Sequence, residues 1–400
     1  MTASHAEQPA RTDDSTFQTQ IICGVKDISE LRQEWQELFG SLPDSTWSYA
    51  PEVFASWIDT LRAIDNVHIL TTRDKDGHLR GLYTLILDFA RRGPSCAPRF
   101  DYDPQDRSLI TNQRLRPVPL RQLTVMASLP ATMLWVGPLC HSTDSQQVYM
   151  SMAAAILGLK GWDVLVLPAF EGTQSEDWRT AFAACNVQTR LQALNRDVSN
   201  LRQIGSFQEV VNRQSGKFRQ NVRRAQKVAA NEGMNIQMHV GHEAVAGQLE
   251  TVATVARNSW KHQGRADAQV HIAYDGRQQE FFERLMVSKN IGGTPIVAVA
   301  SDAKGPLSVV TLLQFGSSVT ALLTFWDGRL DKASPGLLLL GAAIDWTAEH
   351  EATRFEMNTT ASWLRHIADT TLTVNNIVVF NPTFYGRALG QLARLSGRLP

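Results

Sequence analysis

The sequence predicts an α+β protein built from two tandem domains, each a mixed, mostly antiparallel sheet flanked by helices. Three observations carry that prediction. Apolar stripes of helical period and apolar runs of strand character alternate along the chain, and the second half repeats the order of the first. The 400 residues, 43% hydrophobic and 20% charged, are enough for two domains with proper cores. A meander of strands then runs through "FWDGRLDKASPG" straight into an apolar helix, the signature of a strand–loop–helix unit.

Each element has a local reason. The polar stretch 1–20 has no apolar core and reads as a disordered tail. "QIICGV" follows as a strand, and Leu31, Trp35 and Leu38 give the next segment a helical stripe that ends near Gly40. Pro51 starts a second helix, and Asp76-Gly77 turns a hairpin between "NVHILTTR" and "LRGLYTLIL". Residues 91–121 carry seven arginines among several prolines and read as a surface excursion. A helix at "QVYMSMAAAILGLKGW", a buried strand at "DVLVLPAF" and a helix at "WRTAFAACN" close the first domain, 21–200. In the second, 201–400, a helix broken near Ser215-Gly216 precedes the strand "MNIQMHVG". Two more helices follow, at "EAVAGQLETVATVARNSWKHQG" and "GRQQEFFERLMVSKN". A three-stranded meander ends at Trp326, and beyond the Ser-Pro-Gly helix come the strands "TRFEMNTT" and "TLTVNNIVVFN".

Composition limits the function classes. Formal net charge is zero, so no overall field recruits nucleic acid or anionic membrane, and any such role rests on a local patch. The four cysteines are widely spaced with no CxxC pair, which argues for reduced thiols and against a disulfide framework or zinc site. His239 and His242 lack carboxylate partners, so no metal is expected. No apolar run approaches the ~20 residues of a membrane span. The expectation is a cytoplasmic protein without membrane insertion.

The helix at Ser334 is where chemistry concentrates. Ser334 suits the N-cap, Pro335 the first helical position, and Gly336 keeps the first turn clear of side chain. Unpaired N–H groups and the positive dipole end then make an anion site. On "GKFRQNVRRAQKVAA", Phe218, Val222, Ala225 and Ala229 form an apolar stripe, while Arg219, Arg223 and Lys227 share another face. That face is either solvated or meets a polyanion.

Three stretches in the second half resemble the GNAT superfamily of acetyltransferases, in its CelD-like, cellulose-biosynthesis-type branch: "GKFRQNVRRAQKVAANEG", "ARNSWKHQG" and "FWDGRLDKASPGLLLLGAAIDWTAEHEATRFEM". The first half, from "ISELRQEWQELFGSL" to the "DGHLRGLYTLIL" hairpin, resembles that family's N-terminal region. The resemblance implies two GNAT-like domains, with an acyl-CoA co-substrate (acetyl-CoA or longer) held by the second. It places the pyrophosphate at Ser334, Gly336 and Leu337 with Lys332 and Arg329 adding charge. It implies a catalytic strand end at Trp326 and Asp327, where a backbone N–H near 324–326 would polarise the thioester. Asp327 is then a base or acceptor anchor, or else the cap of the Gly328 turn. Trp260, Lys261 and Asn358 are implied as substrate-binding; Trp260 packing between domains and a solvated Lys261 are the alternatives. Members commonly carry a lysine after the strand equivalent to "RFEMNTT"; here "ASWLRHIADT" follows, with Arg365 or His366 as substitutes. Three functions stay open: transfer of an acyl group from acyl-CoA to a small or carrier-bound amine, a Fem-like transferase using aminoacyl-tRNA, and a non-catalytic ligand-binding protein.

Overall fold

The computed structural model describes residues 17–23, 28–42, 46–61, 67–90, 120–125, 137–193, 198–259, 276–359, 364–372 and 374–395. In chain order the first half runs β1 (Phe17–Cys23), α1 (Ser29–Gly40), α2 (Pro51–Leu61), β2 (Val67–Asp74), β3 (Leu79–Ala90), β4 (Leu120–Val125), β5 (Leu139–Cys140), α3 (Ser145–Gly158), β6 (Val164–Glu171), α4 (Gly172–Ala184) and β7 (Thr189–Ala193). The second half begins with β8 (Val198–Leu201), α5 (Phe207–Asn212), α6 (Gly216–Asn231), β9 (Asn235–Val240), α7 (His242–Ala246), α8 (Leu249–Asn258) and α9 (Gly276–Val287). It continues with β10 (Thr294–Asp302), β11 (Gly305–Phe315), β12 (Ser318–Trp326), α10 (Pro335–Glu349), β13 (Arg354–Thr359), β14 (Thr370–Leu372), β15 (Val374–Phe380) and α11 (Phe384–Leu395). Among these residues no helix is long and apolar enough to cross a membrane.

Two sheets result, each flanked by helices. One has the order β1-β2-β3-β4-β6-β15-β7, with β5 beside β3; the other has β9-β10-β11-β12-β13-β8-β14. The two orders obey one plan. Four strands from one half of the chain pair in sequence, antiparallel, and the fourth meets the fifth in parallel (β4 with β6, β12 with β13). The sixth position is filled out of sequence order, in the first sheet by β15 from the far end of the chain and in the second by β8, which precedes β9 in the same unit. The chain divides accordingly into two compact units, residues 1–58, 62–196 and 373–400 in one, and 59–61 with 197–372 in the other.

This exchange alters the expected span 201–400. "TLTVNNIVVFN" is two strands that part after Leu372: β14 pairs with β8, whereas β15 pairs with β6 and β7. Nothing in the local apolar pattern names a strand's partner, so the run read as one. The helix expected over "EAVAGQLETVATVARNSW" is likewise two, broken at Gly247-Gln248, where α7 ends and α8 begins. α11, with its exposed Phe384 and Leu392, was not anticipated.

The second unit's core lies between one face of its sheet and α5 and α10. It gathers Leu201, Phe207, Val310, Leu312, Val319, Leu339, Ala343, Ile344, Phe355 and Met357. Close approach is built into that layer. A Cβ on Gly341 of α10 would stand 2.5 Å from Cδ1 of Phe207, so only glycine lets the ring seat there. The break near Ser215 is a helix restart: Ser206 and Glu209 form a capping box on α5, and the Ser215 hydroxyl accepts from the Phe218 N–H at the head of α6.

Candidate functional site

The second sheet opens at its centre. β12 and β13 pair in parallel over Ser318–Arg354, Val319–Phe355 and Thr320–Glu356, and the pairing stops there although β12 continues to Trp326. A register shift against β11, between Thr311 and Leu312, marks a β-bulge at the same level. There the Leu323 N–H donates to the Thr311 hydroxyl at 3.1 Å. The Asp327 N–H donates to the Leu307 carbonyl at 3.0 Å, so by the alternation of an antiparallel ladder the Trp326 N–H turns away from β11, toward the opening.

At the mouth of the opening stands the start of α10. Leu330 (φ 52°) and Ser334 (φ 46°) both adopt left-handed backbone, which folds Asp331–Ala333 into a tight 3-10 turn ahead of Pro335. Ser334 is the N-cap by position, but its side chain makes no capping bond. A Cβ on Gly336 would meet nothing within 4 Å. Leu337 and Leu338 already donate to the Ser334 carbonyl, at 2.9 and 3.2 Å, whereas no acceptor meets the Gly336 N–H among the described residues. Lys332 is exposed beside it. The expected trio of backbone donors thus reduces to Gly336, with Lys332 as the adjoining cation.

Arg329 and Asp327 are bound to each other, Asp327 taking the second of its two expected places, as the cap of the Gly328 turn. The Arg329 guanidinium donates to Asp327 Oδ2 at 2.7 Å, to Asp302 Oδ1 at 2.8 Å and to the Pro306 carbonyl at 2.6 Å. Its backbone N–H donates to Asp327 Oδ1 at 2.9 Å, the bond of an Asx turn around Gly328. Burial opposes the charge of Arg329, but Asp327 and Asp302 outweigh it and raise its pKa. Both residues are therefore committed to a clamp that ties the end of β12 to the β10–β11 hairpin. The Trp326 indole N–H adds to it by donating to the Arg329 carbonyl at 2.6 Å. The guanidinium of Arg329 is thus engaged by Asp327, Asp302 and the Pro306 carbonyl.

α6 packs against the same turn. Ala225 and Ala229 form a small core with Ala333 and Leu338. Arg219, which helical spacing groups with Arg223 and Lys227, donates to the Gln214 carbonyl at 2.6 Å and closes the α5–α6 junction. Arg223, Arg224 and Lys227 are exposed, with no ion-pair partner among the described residues. Arg224 was passed over in the sequence because it falls outside the i, i+4 series. Trp260 and Lys261, and most of the arginine-rich stretch 91–121, lie outside the described residues. Its last arginine, Arg121, is bound to Asp163 through Nη2–Oδ1 at 2.9 Å. Asn358 belongs to β13; its side chain is not among those described. Arg365 and His366 are exposed on the 3-10 turn Leu364–His366.

The first unit repeats the parallel strand pair but not the helix start. α3 begins after Asp144 at its N-cap, and its first turn is Ser145-Gln146-Gln147 where α10 has Pro335-Gly336-Leu337.

Residues 216–363, from α6 past β13, match the family model described as acetyltransferase (GNAT) domain. The second unit carries a GNAT-type domain. No curated protein matches the chain. Among solved structures, FemX is similar over 90% of this chain and 98% of its own at 12% identity and a TM-score of 0.54. The C-terminal domain of a lysylphosphatidylglycerol synthetase-type protein from Agrobacterium fabrum is similar over 92% and 98%, at 10% identity and a TM-score of 0.52. A conserved protein of unknown function from Bacteroides thetaiotaomicron covers 87% and 97%, at 6% identity and a TM-score of 0.51. At such identities the likeness is one of fold, and it spans both units. It speaks for the fold alone and leaves donor and acceptor to be argued from the site.

Proposed function

We propose that the protein is an N-acyltransferase of the CelD-like branch, moving an acyl group from acyl-CoA to an amine in the opening between β12 and β13. The observation that carries this is the coincidence of three features: strand pairing that ends at Thr320, a bulge at the same level, and an uncommitted Gly336 N–H at the mouth. The residues fit a nucleotide-bearing thioester. Gly336 leaves room for a pyrophosphate at the helix dipole, and Lys332 supplies charge. Arg223, Arg224 and Lys227 lie on the helix packed against that turn and add a positive field.

Bound acyl-CoA supplies the activated carbonyl. The chain's part is to hold and orient. The opening admits an extended arm along β12, and the Trp326 N–H, turned into it, can donate to the thioester oxygen as negative charge develops there. The acceptor amine, having given its proton to water, attacks the carbonyl carbon; the carbon–sulfur bond breaks and the thiolate leaves, taking up a proton. With Asp327 bound to Arg329, the proton leaves through solvent and not through that carboxylate.

A second reading, transfer from aminoacyl-tRNA, is favoured by the exposed trio Arg223, Arg224 and Lys227, which would suit phosphates. Thermal melting separates the two. A ligand at about 100 times its Kd stabilises by about 2.7 kcal/mol. Acetyl-CoA should raise the melting temperature and uncharged or charged tRNA should not; the reverse pattern would select the second reading.

A further inference from the structure

Glu356 sits where the strands part. It is the last residue of β13 in register with β12, opposite Thr320. Its neighbours Phe355 and Met357 point into the core shared with α10. Alternation along the strand sends Glu356 to the other face, the one on which α8 packs against β11 and β12. A carboxylate at that position is half-met. Arg202, just beyond β8, binds Oε1 at 2.5 Å, while Oε2 is buried and has no hydrogen-bond partner among the described residues. The Glu356 side chain is 14% exposed, so water does little for the second oxygen. Leaving a buried carboxylate oxygen unmet is costly, and native proteins do so mostly where something else arrives.

The surroundings restrict the arrival. Arg202 balances one charge through one oxygen, which leaves the other as an acceptor without a donor among the described residues. On β12 the adjacent Leu322 is buried and gives the position an apolar flank beside the buried Thr320. A donor with a positive charge and a narrow aliphatic stem satisfies both conditions: the ammonium of a primary alkyl amine. An incoming carboxylate or phosphate would meet the charge of Glu356 and be repelled.

We infer that Glu356, through Oε2, binds the ammonium of an aliphatic primary amine at the vertex of the β12–β13 opening, with Arg202 as the residue that positions it. The inference deepens the acyl-transfer reading by naming the acceptor's charge and the group that recognises it. Binding of the amine can be measured with no donor present, which keeps the two ideas separable.

Saturation-transfer NMR with cadaverine as the probe and 1,5-pentanediol as its uncharged counterpart tests it on the full-length protein. The wild type should bind cadaverine and ignore the diol. Glu356→Gln, which preserves shape and removes the charge, should weaken cadaverine at least tenfold in a protein that still folds and whose acetyl-CoA Kd stays within error of wild type, although loss of the charge opposite Arg202 lowers its melting temperature. Glu356→Asp, which keeps the charge on a shorter stem, should retain part of the binding and guards against a Gln variant that fails to fold. No cadaverine binding by the wild type, equal binding of diol and amine, or undiminished binding by folded Glu356→Gln would overturn the inference. Absence of acetyl-CoA binding beside intact, Glu356-dependent amine binding would instead remove the donor and leave this site standing.

Discussion

Replacing Arg329 by Gln distinguishes a structural clamp from a phosphate ligand. In the structure the guanidinium serves Asp327, Asp302 and the Pro306 carbonyl, and both aspartate side chains are 10% exposed. Removing one member of a buried ion pair costs about 3–5 kcal/mol because the partner is left charged and unmet. Arg329 itself is 30% exposed, so water can reach part of the vacated space, and we take about 2–3 kcal/mol. Spread over a unit of this size, that is a fall of about 4–12 °C in melting temperature. Calorimetric melting followed by acetyl-CoA titration reads both quantities. The clamp predicts a large melting shift, and a folded Arg329→Gln protein whose donor affinity falls by less than about threefold. Unchanged melting with donor affinity reduced tenfold or more would refute the clamp and restore Arg329 to the phosphate.

Two further predictions follow from the packing around this site. Gly341→Ala should destabilise by about 1–2 kcal/mol: overpacking against Phe207 costs about 1–3 kcal/mol, and the better helix propensity of alanine returns up to about 1. Chemical denaturation checks it, and a stabilised variant would show that the ring moves freely. Replacing Arg223, Arg224 and Lys227 together by Gln should leave melting unchanged, since all three are exposed, and should weaken acetyl-CoA modestly with a shallow salt dependence. A steep salt slope for tRNA binding that this triple change flattens would favour the aminoacyl-tRNA donor.

Much of the second unit was legible because its signals are local. Pro335 and Gly336 mark a helix start by backbone chemistry alone, and Ser215 marks the restart of α6 in the same way. The meander ending at Trp326 follows from apolar runs and the Gly316 turn, whose φ is 54°. What stayed hidden depends on partners distant in the chain. Asp302 meets Arg329 across 27 residues, and no spacing rule joins them. β15 leaves its own half for the first sheet because β6 and β7 offer it two edges, a fact invisible in "VNNIVVF" itself. Glu356 did carry a signal, a charge between the core residues Phe355 and Met357. Its meaning emerges only once Thr320 is seen as the last rung of the parallel ladder. The place of Arg219 was hidden for a related reason: helical spacing groups side chains on a face but does not show that the Gln214 carbonyl, between α5 and α6, waits beside one of them.

Isothermal titration of acetyl-CoA into the wild type and into Gly336→Glu tests the central claim most directly. The Cβ space at Gly336 is open, so the glutamate should be accommodated without loss of fold while its carboxylate takes the anion's place at the helix start. The account predicts a measurable Kd for the wild type and at least a hundredfold weaker binding by the folded variant. Equal affinities in the two proteins would contradict it.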